Sequence, residues 1–373
     1  MTPSASPQRV SAPAGKVFSP KIRTFSLGPA SPAVSVVMTT WNDLRFIRDA
    51  VGGVLRQTFT DFEFIIVDDG SDYPHEVEAL AALDPRIRIV RLDANLGAAE
   101  AGNRGIALAR APIVARMDYD DIAEPGWLAA VTQALAEDPE LGIVGTWATL
   151  ISEHGDPLGI DRTPQSDFAI RLTLLSHNPF YHSSVAYRRE LIALVGGIEG
   201  GQNLTHDHRL WRALLPHCRA RNLPQPLVRY RYNPRGITGS SDPLTSRSRS
   251  HDIRVGLWNE LGLAYPLDSR PLGDAFDSFL RDRPAPHPEL WGAVAEVIES
   301  AIGGLAAQEG QFLRPGDEPL RDAFVLSLRA RLAAGPKRPP SRVQRLRTAL
   351  RLRGFRRTVA AIVRKSRNAM GAR

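Results

Sequence analysis

Residues 113–121 read IVARMDYDD, a short apolar run that ends in three carboxylates. The apolar part is too short for a typical helix, and its β-branched residues are typical of a buried strand. Three similar runs and two segments with helical spacing precede it, at 33–38, 62–67 and 87–90 and at 43–56 and 97–109. Strands that alternate with helices predict right-handed βαβ units, and therefore an α/β fold around a mainly parallel central sheet.

The pattern becomes less regular after residue 125, but it still predicts both helices and strands. We predict helices over 125–137, 188–194 and 206–215, strands over 141–144, 184–187 and 227–232, and a mostly helical segment over 250–335. The predicted organisation is a Ser/Pro-rich disordered arm at 1–32, an α/β domain at 33–240, a helical extension at 241–335 and a basic amphipathic tail at 336–373.

The composition excludes several classes of protein. The 373 residues contain one cysteine, Cys218, so an intramolecular disulfide and a cysteine-based zinc site are both excluded. No apolar run approaches the roughly 18 residues that span a bilayer, and the N-terminus lacks the apolar centre of a signal peptide. These features predict a cytoplasmic protein.

The net charge of +7 is unevenly distributed along the chain. The segment 337–373 holds 13 of the 47 Lys and Arg residues and no acid, which leaves 34 bases against 40 acids elsewhere. Apolar residues recur among these bases, so the segment could contact the inner face of an anionic membrane or remain solvated. Nucleic acid is disfavoured as a partner, because Phe355 is the only aromatic residue in the segment.

Polar clusters follow the first four predicted strands, at 39–43, 68–72, 95–97 and 118–121. Ligands of parallel sheets bind beyond the carboxyl ends of the strands, so these clusters should gather at one edge. Asp118 and Asp120 are two residues apart in an extended segment, so both carboxylates could face one divalent cation such as Mg²⁺ or Mn²⁺. The alternative is that these acidic turns only shape loops and cap helices.

The order of these motifs resembles that of the family 2 inverting glycosyltransferases, which have the GT-A fold. The matching stretches are VSVVMTTWN at 34–42, IIVDDGS at 65–71, NLG at 95–97, NRG at 103–105, ARMDYDDI at 115–122, HSSV at 182–185 and HDHRLW at 206–211. The resemblance extends from about 33 to 235. It implies a donor-binding half at 33–122 and an acceptor half at 123–240.

The resemblance also implies a role for each matching position. A nucleotide-diphosphate sugar and Mn²⁺ or Mg²⁺ would bind at the donor half, a glycan or lipid-linked acceptor would bind at the other half, and Asp207 would be the general base. The implied donor-binding residues are Thr39, Asn42, Asp68, Asp69, Asn95, Arg104 and Asp118, the acceptor-side residues are His182 and Trp211, and the metal ligands are Asp120 and Asp118. Three of these residues also have an interpretation without a functional role. Arg104 could be a solvated helix position, His182 a buried hydrogen-bonded histidine, and Trp211 a core residue.

Two departures limit what the resemblance implies. His206 stands where Glu is usual, so no role of that Glu is carried over. The segment 225–230 (QPLVRY) lacks the Gln-x-x-Arg-Trp motif of processive synthases, which favours transfer of a single sugar. A nucleotidyltransferase would need a Gly-rich basic loop where 39–43 reads TTWND. The other alternative is a degenerate sugar-nucleotide-binding or scaffold subunit, and retention of the key aspartates argues against it.

Overall fold

The structure, a computed structural model, describes residues 32–200, 205–233, 236, 251–263, 265, 270–280, 287–307 and 318–336. The predictions for the arm at 1–32 and for the tail at 336–373 lie almost entirely outside these residues and stay predictions. The described chain forms a mixed sheet with helices on both faces, and a helical unit packs beside it.

The first half of the sheet is the parallel part that the sequence predicts. Its elements are β1 (Val34–Thr40), α1 (Ile47–Leu55), β2 (Phe62–Asp68), α2 (Pro74–Glu78), β3 (Ile87–Arg91), α3 (Ala98–Ala107) and β4 (Ile113–Asp118). The four strands are parallel and lie side by side in the order β3-β2-β1-β4. The predicted strands and helices of this half are confirmed, with ends that differ by a few residues.

The second half of the sheet contains both parallel and antiparallel pairs. Its elements are β5 (Ile122–Ala123), α4 (Trp127–Glu137), β6 (Leu141–Ile151), β7 (Pro157–Asp161), α5 (Asp167–Leu174), β8 (Ala186–Arg188), α6 (Arg189–Leu194), α7 (His206–Leu214) and β9 (Arg219–Arg231). In the described residues the sheet has nine strands in the order β3-β2-β1-β4-β8-β6-β9-β5, with β7 paired to β6. β8 is antiparallel to both of its neighbours, whereas β9 runs parallel to β6.

Several features of this half differ from the prediction, which also omits β5 and β7. The predicted strands at 141–144 and 227–232 are too short, because β6 has 11 residues and β9 has 13. Pro226 interrupts the pattern of β9, and it faces Trp147 at a point where the register shifts. Strands tolerate proline at such irregularities, where its missing N–H is not needed. The helix α5 is absent from the prediction, although Ser166 caps its N-terminus.

Two hydrophobic cores cover the two faces of the sheet. The helices α1, α2 and α4 pack on one face, and α3, α5, α6 and α7 pack on the other. Trp127 and Trp211 are the largest fully buried side chains of the two cores. Burial of one large apolar side chain stabilises a fold by about 1.5–3 kcal/mol, so both cores contribute to the stability of the domain.

The segment that the sequence predicts as mostly helical forms α8 (His251–Glu260), α9 (Arg270–Leu280), α10 (Trp291–Ala307) and α11 (Glu318–Ala333). These helices share a third core with Phe168 and Leu172 of α5. Among the described residues, the helix at Pro288–Ala307 alone has the length and apolar character to cross a membrane. Its buried side chains, such as Ile298, face the third core.

Candidate active site

The register of the parallel strands brings polar residues together at one edge of the sheet. Thr40 at the end of β1 pairs with Asp68 at the end of β2, and Thr39 pairs with Asp118 at the end of β4. The polar clusters that follow these three strands therefore adjoin, as expected for the carboxyl edge of a parallel sheet.

Asn42 joins the loop after β1 to the loop after β2. Its φ is +56°, in the left-handed region that Asn enters more readily than most residues. Its side-chain amide donates to the Asp72 carboxylate (3.0 Å), and its side-chain carbonyl accepts from the Asp72 N–H (2.8 Å). The Asn42 N–H also donates to the Ser71 hydroxyl (3.0 Å). These bonds fix the backbone beside Thr39, which is half-buried at the same edge.

Asp68 and Asp69 hold the neighbouring loops. Asp68 is 1% exposed, and its carboxylate accepts from the Ser71 N–H (3.0 Å) and from Arg91 (3.1 Å). The carboxylate of Asp69 accepts from two N–H groups at the start of α3, including that of Gly97 (2.9 Å). Burial raises the pKa of Asp69. The side chains of both acids therefore fix the conformation of the loops at the carboxyl edge of the sheet.

Asn95 and Arg104 make only local contacts. Asn95 is exposed, and its side-chain carbonyl accepts from the Gly97 N–H (3.0 Å). Arg104 forms an ion pair with Glu100, one turn earlier on α3 (2.9 Å), and its side chain is 42% exposed. The structure does not bring Arg104 into contact with Asp118, which matches the alternative of a solvated helix position.

Asp118 lies at the centre of the candidate site. One carboxylate oxygen is 3.4 Å from His182 Nδ1, and the other accepts from the Ser183 hydroxyl (3.0 Å). Burial alone would raise the pKa of Asp118, but His182 and the Arg116 guanidinium outweigh it and hold the pKa below its usual value. The side chain is 31% exposed, so it remains an ionised group that a ligand can reach.

Two further carboxyl groups beside Asp118 have raised pKa values. Burial and the charge of Asp118 raise the pKa of Asp120 to about 6, although Asn233 donates to it (2.9 Å). Asp121 is 1% exposed, and burial with the nearby charge of Asp120 raises its pKa well above the usual value. The Ser183 hydroxyl contacts the carboxyl groups of both Asp118 and Asp121, so it links the two acids.

This concentration of acids fits a divalent cation. A cation would offset the repulsion between Asp118 and Asp120, which together with burial raises the pKa of Asp120. Both carboxylates supply the oxygen ligands that Mg²⁺ and Mn²⁺ accept. Within the described residues, no group of three or more His, Cys, Asp or Glu side chains is assembled for a metal. A cation here would therefore need the oxygens of a bound diphosphate as further ligands.

Asp207 lies in the first turn of α7, where the helix dipole favours a negative charge. One carboxylate oxygen accepts from the His208 N–H (2.8 Å), and the other accepts from the Asn178 side-chain amide (2.6 Å). The side chain of His208 is anchored in turn near the Leu174 carbonyl (3.1 Å). These contacts fix the orientation of a half-buried carboxylate, which suits a general base.

Two histidines lie between Asp118 and Asp207. The ring of His182, which contacts Asp118, meets the ring of His206 edge-on, with centroids 5.5 Å apart. Burial lowers the pKa of His206, so this ring is neutral at pH 7. The charges of both Asp207 and Asp118 act on His206, so this ring lies near both acids.

Trp211 is fully buried and packs against Phe180, with ring centroids 5.2 Å apart. That contact matches the core alternative, although its ring also lies 6.2 Å from that of His182. Sequence reasoning missed four residues that hold the key acids in place, and these are Arg116, Asn178, Ser183 and Asn233. Only Arg116 carried a local signal, since it shares a strand face with the residue two positions later.

Comparison with known proteins identifies the class. Residues 35–194 match the family model described as glycosyl transferase family 2. The match covers 160 of the 373 residues and shows that this part of the chain is similar to that family. This similarity and the observed sheet confirm the predicted α/β fold of GT-A type.

Several relatives are similar over the same half of the chain. The O-antigen biosynthesis glycosyltransferase WbnJ of Escherichia coli is 29% identical over 205 residues, which are 53% of this chain and 79% of that protein. An E. coli UDP-Gal:α-D-GlcNAc-diphosphoundecaprenol β-1,3-galactosyltransferase is 26% identical over 209 residues, 54% of this chain and 75% of that protein. An uncharacterized glycosyltransferase of Haemophilus influenzae is 26% identical, and the aligned part spans 65% of its length.

Two solved structures align with a large part of this chain at low sequence identity. Staphylococcus aureus TarS in complex with UDP-GlcNAc has a TM-score of 0.48 and 17% identity, covering 75% of this chain and 93% of that one. The mannosyltransferase PcManGT of Pyrobaculum calidifontis, in complex with GDP-Man and Mn²⁺, has a TM-score of 0.45 and 20% identity, covering 85% of this chain and 89% of that one.

Proposed function

We propose that this protein is an inverting glycosyltransferase that moves one sugar from a nucleotide diphosphate to a glycan or lipid-linked acceptor. The observation that carries the proposal is the continuous site in which Asp118 and Asp120 lie at the strand edge and Asp207 lies at the start of α7. Asp118 and Asp120 suit the binding of a diphosphate with its cation, and the position of Asp207 suits a general base.

The donor would bind along the carboxyl edge of β1, β2 and β4. The loops fixed by Asn42, Asp68 and Asp69 would hold the nucleoside, with Thr39 facing it. Asp118 and Asp120 would be the ligands of Mn²⁺ or Mg²⁺, which neutralises charge on a leaving diphosphate when bound. Support for this cation comes from the proximity of Asp120 to Asp118, whose charge adds to the effect of burial in raising the pKa of Asp120.

The transfer would be a single displacement at the anomeric carbon. An acceptor hydroxyl oxygen forms a bond to that carbon on the face opposite the diphosphate. The bond from the carbon to the diphosphate oxygen breaks, and its electron pair leaves with the nucleoside diphosphate. Asp207 takes the hydroxyl proton, while Asn178 and the His208 N–H hold its carboxylate in position.

The proposed acceptor class is based on the names of similar proteins. Their printed names include O-antigen biosynthesis and a diphosphoundecaprenol-linked sugar. We therefore propose a cell-envelope polysaccharide pathway, with the reaction on the cytoplasmic side of the membrane. The alternative of a degenerate binding subunit has no observation in its favour, because all three key acids are present in one site.

A donor panel tests the proposal. Purified protein would be incubated with single UDP- and GDP-sugars in Mn²⁺, and release of nucleoside diphosphate would be measured with and without EDTA. We expect slow hydrolysis of one donor that stops in EDTA. Full activity in excess EDTA would rule out the cation, and no release from any donor, with no donor-dependent rise in Tm, would rule out the enzyme.

A further inference from the structure

The side chain of Asn233, just beyond the end of β9, lies between the candidate site and the loop that follows β1. Asn233 is 5% exposed, so its amide needs hydrogen-bond partners inside the protein. The side-chain NH₂ donates to Oδ2 of Asp120 (2.9 Å) and to Oδ2 of Asp43 (3.5 Å). The side-chain carbonyl accepts from Nη2 of Arg45 (3.0 Å). The amide therefore links a proposed cation ligand to the guanidinium of Arg45.

These partners fix the orientation of the Asn233 amide. A guanidinium can only donate hydrogen bonds, and ionised carboxylates can only accept them. The reversed amide would set its NH₂ against Arg45 and its carbonyl against two carboxylates, which is repulsive on both sides. Arg45 thus ensures that Asn233 presents a donor to Asp120.

Arg45 is itself anchored by other contacts. Its Nε and Nη2 donate to Asp43 (2.8 and 2.7 Å), and its Nη1 donates to Glu153 (2.5 Å). The guanidinium also lies over the Phe46 ring, 4.8 Å from the centroid. Two carboxylates therefore balance the charge of Arg45, and its further bond to the neutral amide of Asn233 acts on orientation.

A second Asp-x-Arg pair shows which contact distinguishes Arg45. Arg86 donates to Asp84 through its backbone N–H, Nε and Nη2 (2.9 Å each). The same three groups of Arg45 donate to Asp43. The pair at 84–86 precedes β3, at the opposite edge of the parallel strands from the candidate site. The Asp-x-Arg pattern alone is therefore a local turn contact, and the bond to Asn233 is what ties Arg45 to the site.

The backbone of Asp120 is held by the same strand end. Arg231 is 5% exposed, and its Nε donates to the Asp120 carbonyl (2.8 Å) while its N–H donates to the Asp121 carboxyl group (2.8 Å). With its backbone held, the Asp120 side chain can still rotate, and the bond from Asn233 to Oδ2 restricts that rotation. The protein therefore sets the direction of this carboxylate.

We propose that Arg45 and Asn233 are positioning residues for the cation. Arg45 orients the amide of Asn233, and Asn233 holds Oδ2 of Asp120 so that Oδ1 is left to bind Mn²⁺ or Mg²⁺. This inference rests on the proposed function, because it assumes that Asp120 is a cation ligand. Asn233 lies outside the residues that match the family model, so its role is inferred from its contacts alone.

Titration with Mn²⁺ tests this inference without turnover. Binding to the full chain would be measured by electron paramagnetic resonance, alone and with a fixed concentration of UDP or GDP. Asn233→Leu is close in shape but has no hydrogen-bonding group, and we expect it to raise the Kd for Mn²⁺ by about 10–100-fold, as is typical when a partner of a metal ligand is lost. Arg45→Met should raise this Kd by about tenfold, at the lower end of that range.

The sign of the Arg45→Met effect separates positioning from charge. Loss of a positive charge near Asp120 would strengthen cation binding if attraction between charges were the only effect. Weaker binding therefore reports the lost orientation of Asn233, and Arg45→Lys should recover much of the affinity because it keeps a donor and the charge. Tighter or unchanged binding by Arg45→Met would overturn the inference.

Two controls make the same substitutions away from the acids of the site. Arg86→Met removes the other Asp-x-Arg contact. Asn103→Leu removes an amide that makes two hydrogen bonds to the backbone of Ile198 (2.8 Å each). Both should lower Tm, because hydrogen bonds are lost, and both should leave the Kd for Mn²⁺ unchanged.

The outcomes distinguish the two proposals. If the wild type binds Mn²⁺ and Asn233→Leu binds it equally well, the inference is overturned and the proposed function stands. If the wild type binds no Mn²⁺ under any of these conditions, the cation of the proposed function is ruled out together with the inference. If Asn233→Leu does not fold, Arg45→Met decides, since the Arg45 side chain is 31% exposed and tolerates replacement better.

Discussion

Replacement of Asp207 by Asn removes the proposed base with almost no change in shape. Because general-base catalysis contributes about 10²–10⁴-fold, we expect Asp207→Asn to lower kcat by that factor while donor KM stays within about twofold. The assay is donor release under saturating donor and Mn²⁺. At 1.36 kcal/mol per factor of ten, the loss corresponds to about 2.7–5.4 kcal/mol of transition-state stabilisation.

The same substitution also disturbs a hydrogen bond. Asn178 donates to Asp207 over 2.6 Å, so an amide at 207 would bring two NH₂ groups together. Loss of a bond to a charged, half-buried group costs about 1–2 kcal/mol, which lowers Tm by about 2–8 °C in a domain of this size. Asn178 cannot turn over freely, because its side-chain carbonyl accepts from the Phe180 N–H (3.1 Å).

The double variant Asp207→Asn/Asn178→Asp separates the two effects. It restores an amide–carboxylate bond with the partners exchanged, so Tm should recover. The carboxylate is displaced by more than 1 Å from its native position, and kcat should stay low, since misplacement on that scale costs about 10²-fold. Recovery of kcat together with Tm would refute the catalytic role of Asp207, as would full turnover by the single variant.

Three other substitutions test the site from different directions. Because the folded pKa of Asp120 is about 6 and its reference value is 3.8, stability falls as pH rises through that interval, so Asp120→Asn should raise Tm by about 2–4 °C at pH 7.5 in EDTA. Arg212→Glu should lower kcat about tenfold, because the ion pair of Arg212 with Glu260 (2.6 Å) holds α7 against α8. The double variant Arg212→Glu/Glu260→Arg restores an ion pair with the charges exchanged and should recover the activity. Asn42→Ala should lower the free energy of unfolding in urea by about 2 kcal/mol, and Asn42→Gly by about half of that, because only Gly relieves the positive φ.

Each of these predictions has a control. Mn²⁺ should stabilise the wild type but not Asp120→Asn, and equal stabilisation would remove Asp120 from the cation site. Arg329→Glu makes the same charge change at an ion pair with Glu299 (2.6 Å) that joins α11 to α10 and does not involve α7, and it should leave kcat unchanged. Equal effects of Ala and Gly at Asn42 would show that its backbone stores no strain.

The sequence predicts the donor half of the site better than the other half. Thr39, Asp68 and Asp118 each follow an apolar run at a strand end, so local pattern and the geometry of parallel sheets suffice to bring them together. Asn178 and Asp207 are 29 residues apart and meet only through tertiary packing, so no local pattern reveals their contact.

The contrast between local pattern and tertiary packing also explains the errors in the predicted fold. The strand β9 contains Pro224 and Pro226, which conceal its apolar alternation, and its full length follows from pairing with β6. The helix α5 buries Phe168 against the helical unit, so both of its faces are apolar and its period is unclear. In both cases distant neighbours decide the conformation.

The continuity of the sheet determines how substrates can enter. β8 joins the parallel strands to β6, and β9 returns from the acceptor half to pair with β5, directly after the acids at 118–121. The two halves share this ladder of hydrogen bonds, so they cannot swing apart about a hinge as separately folded lobes do. Under the proposed function, admission of a donor sugar would therefore depend on side chains and loops at the rim of this continuous sheet.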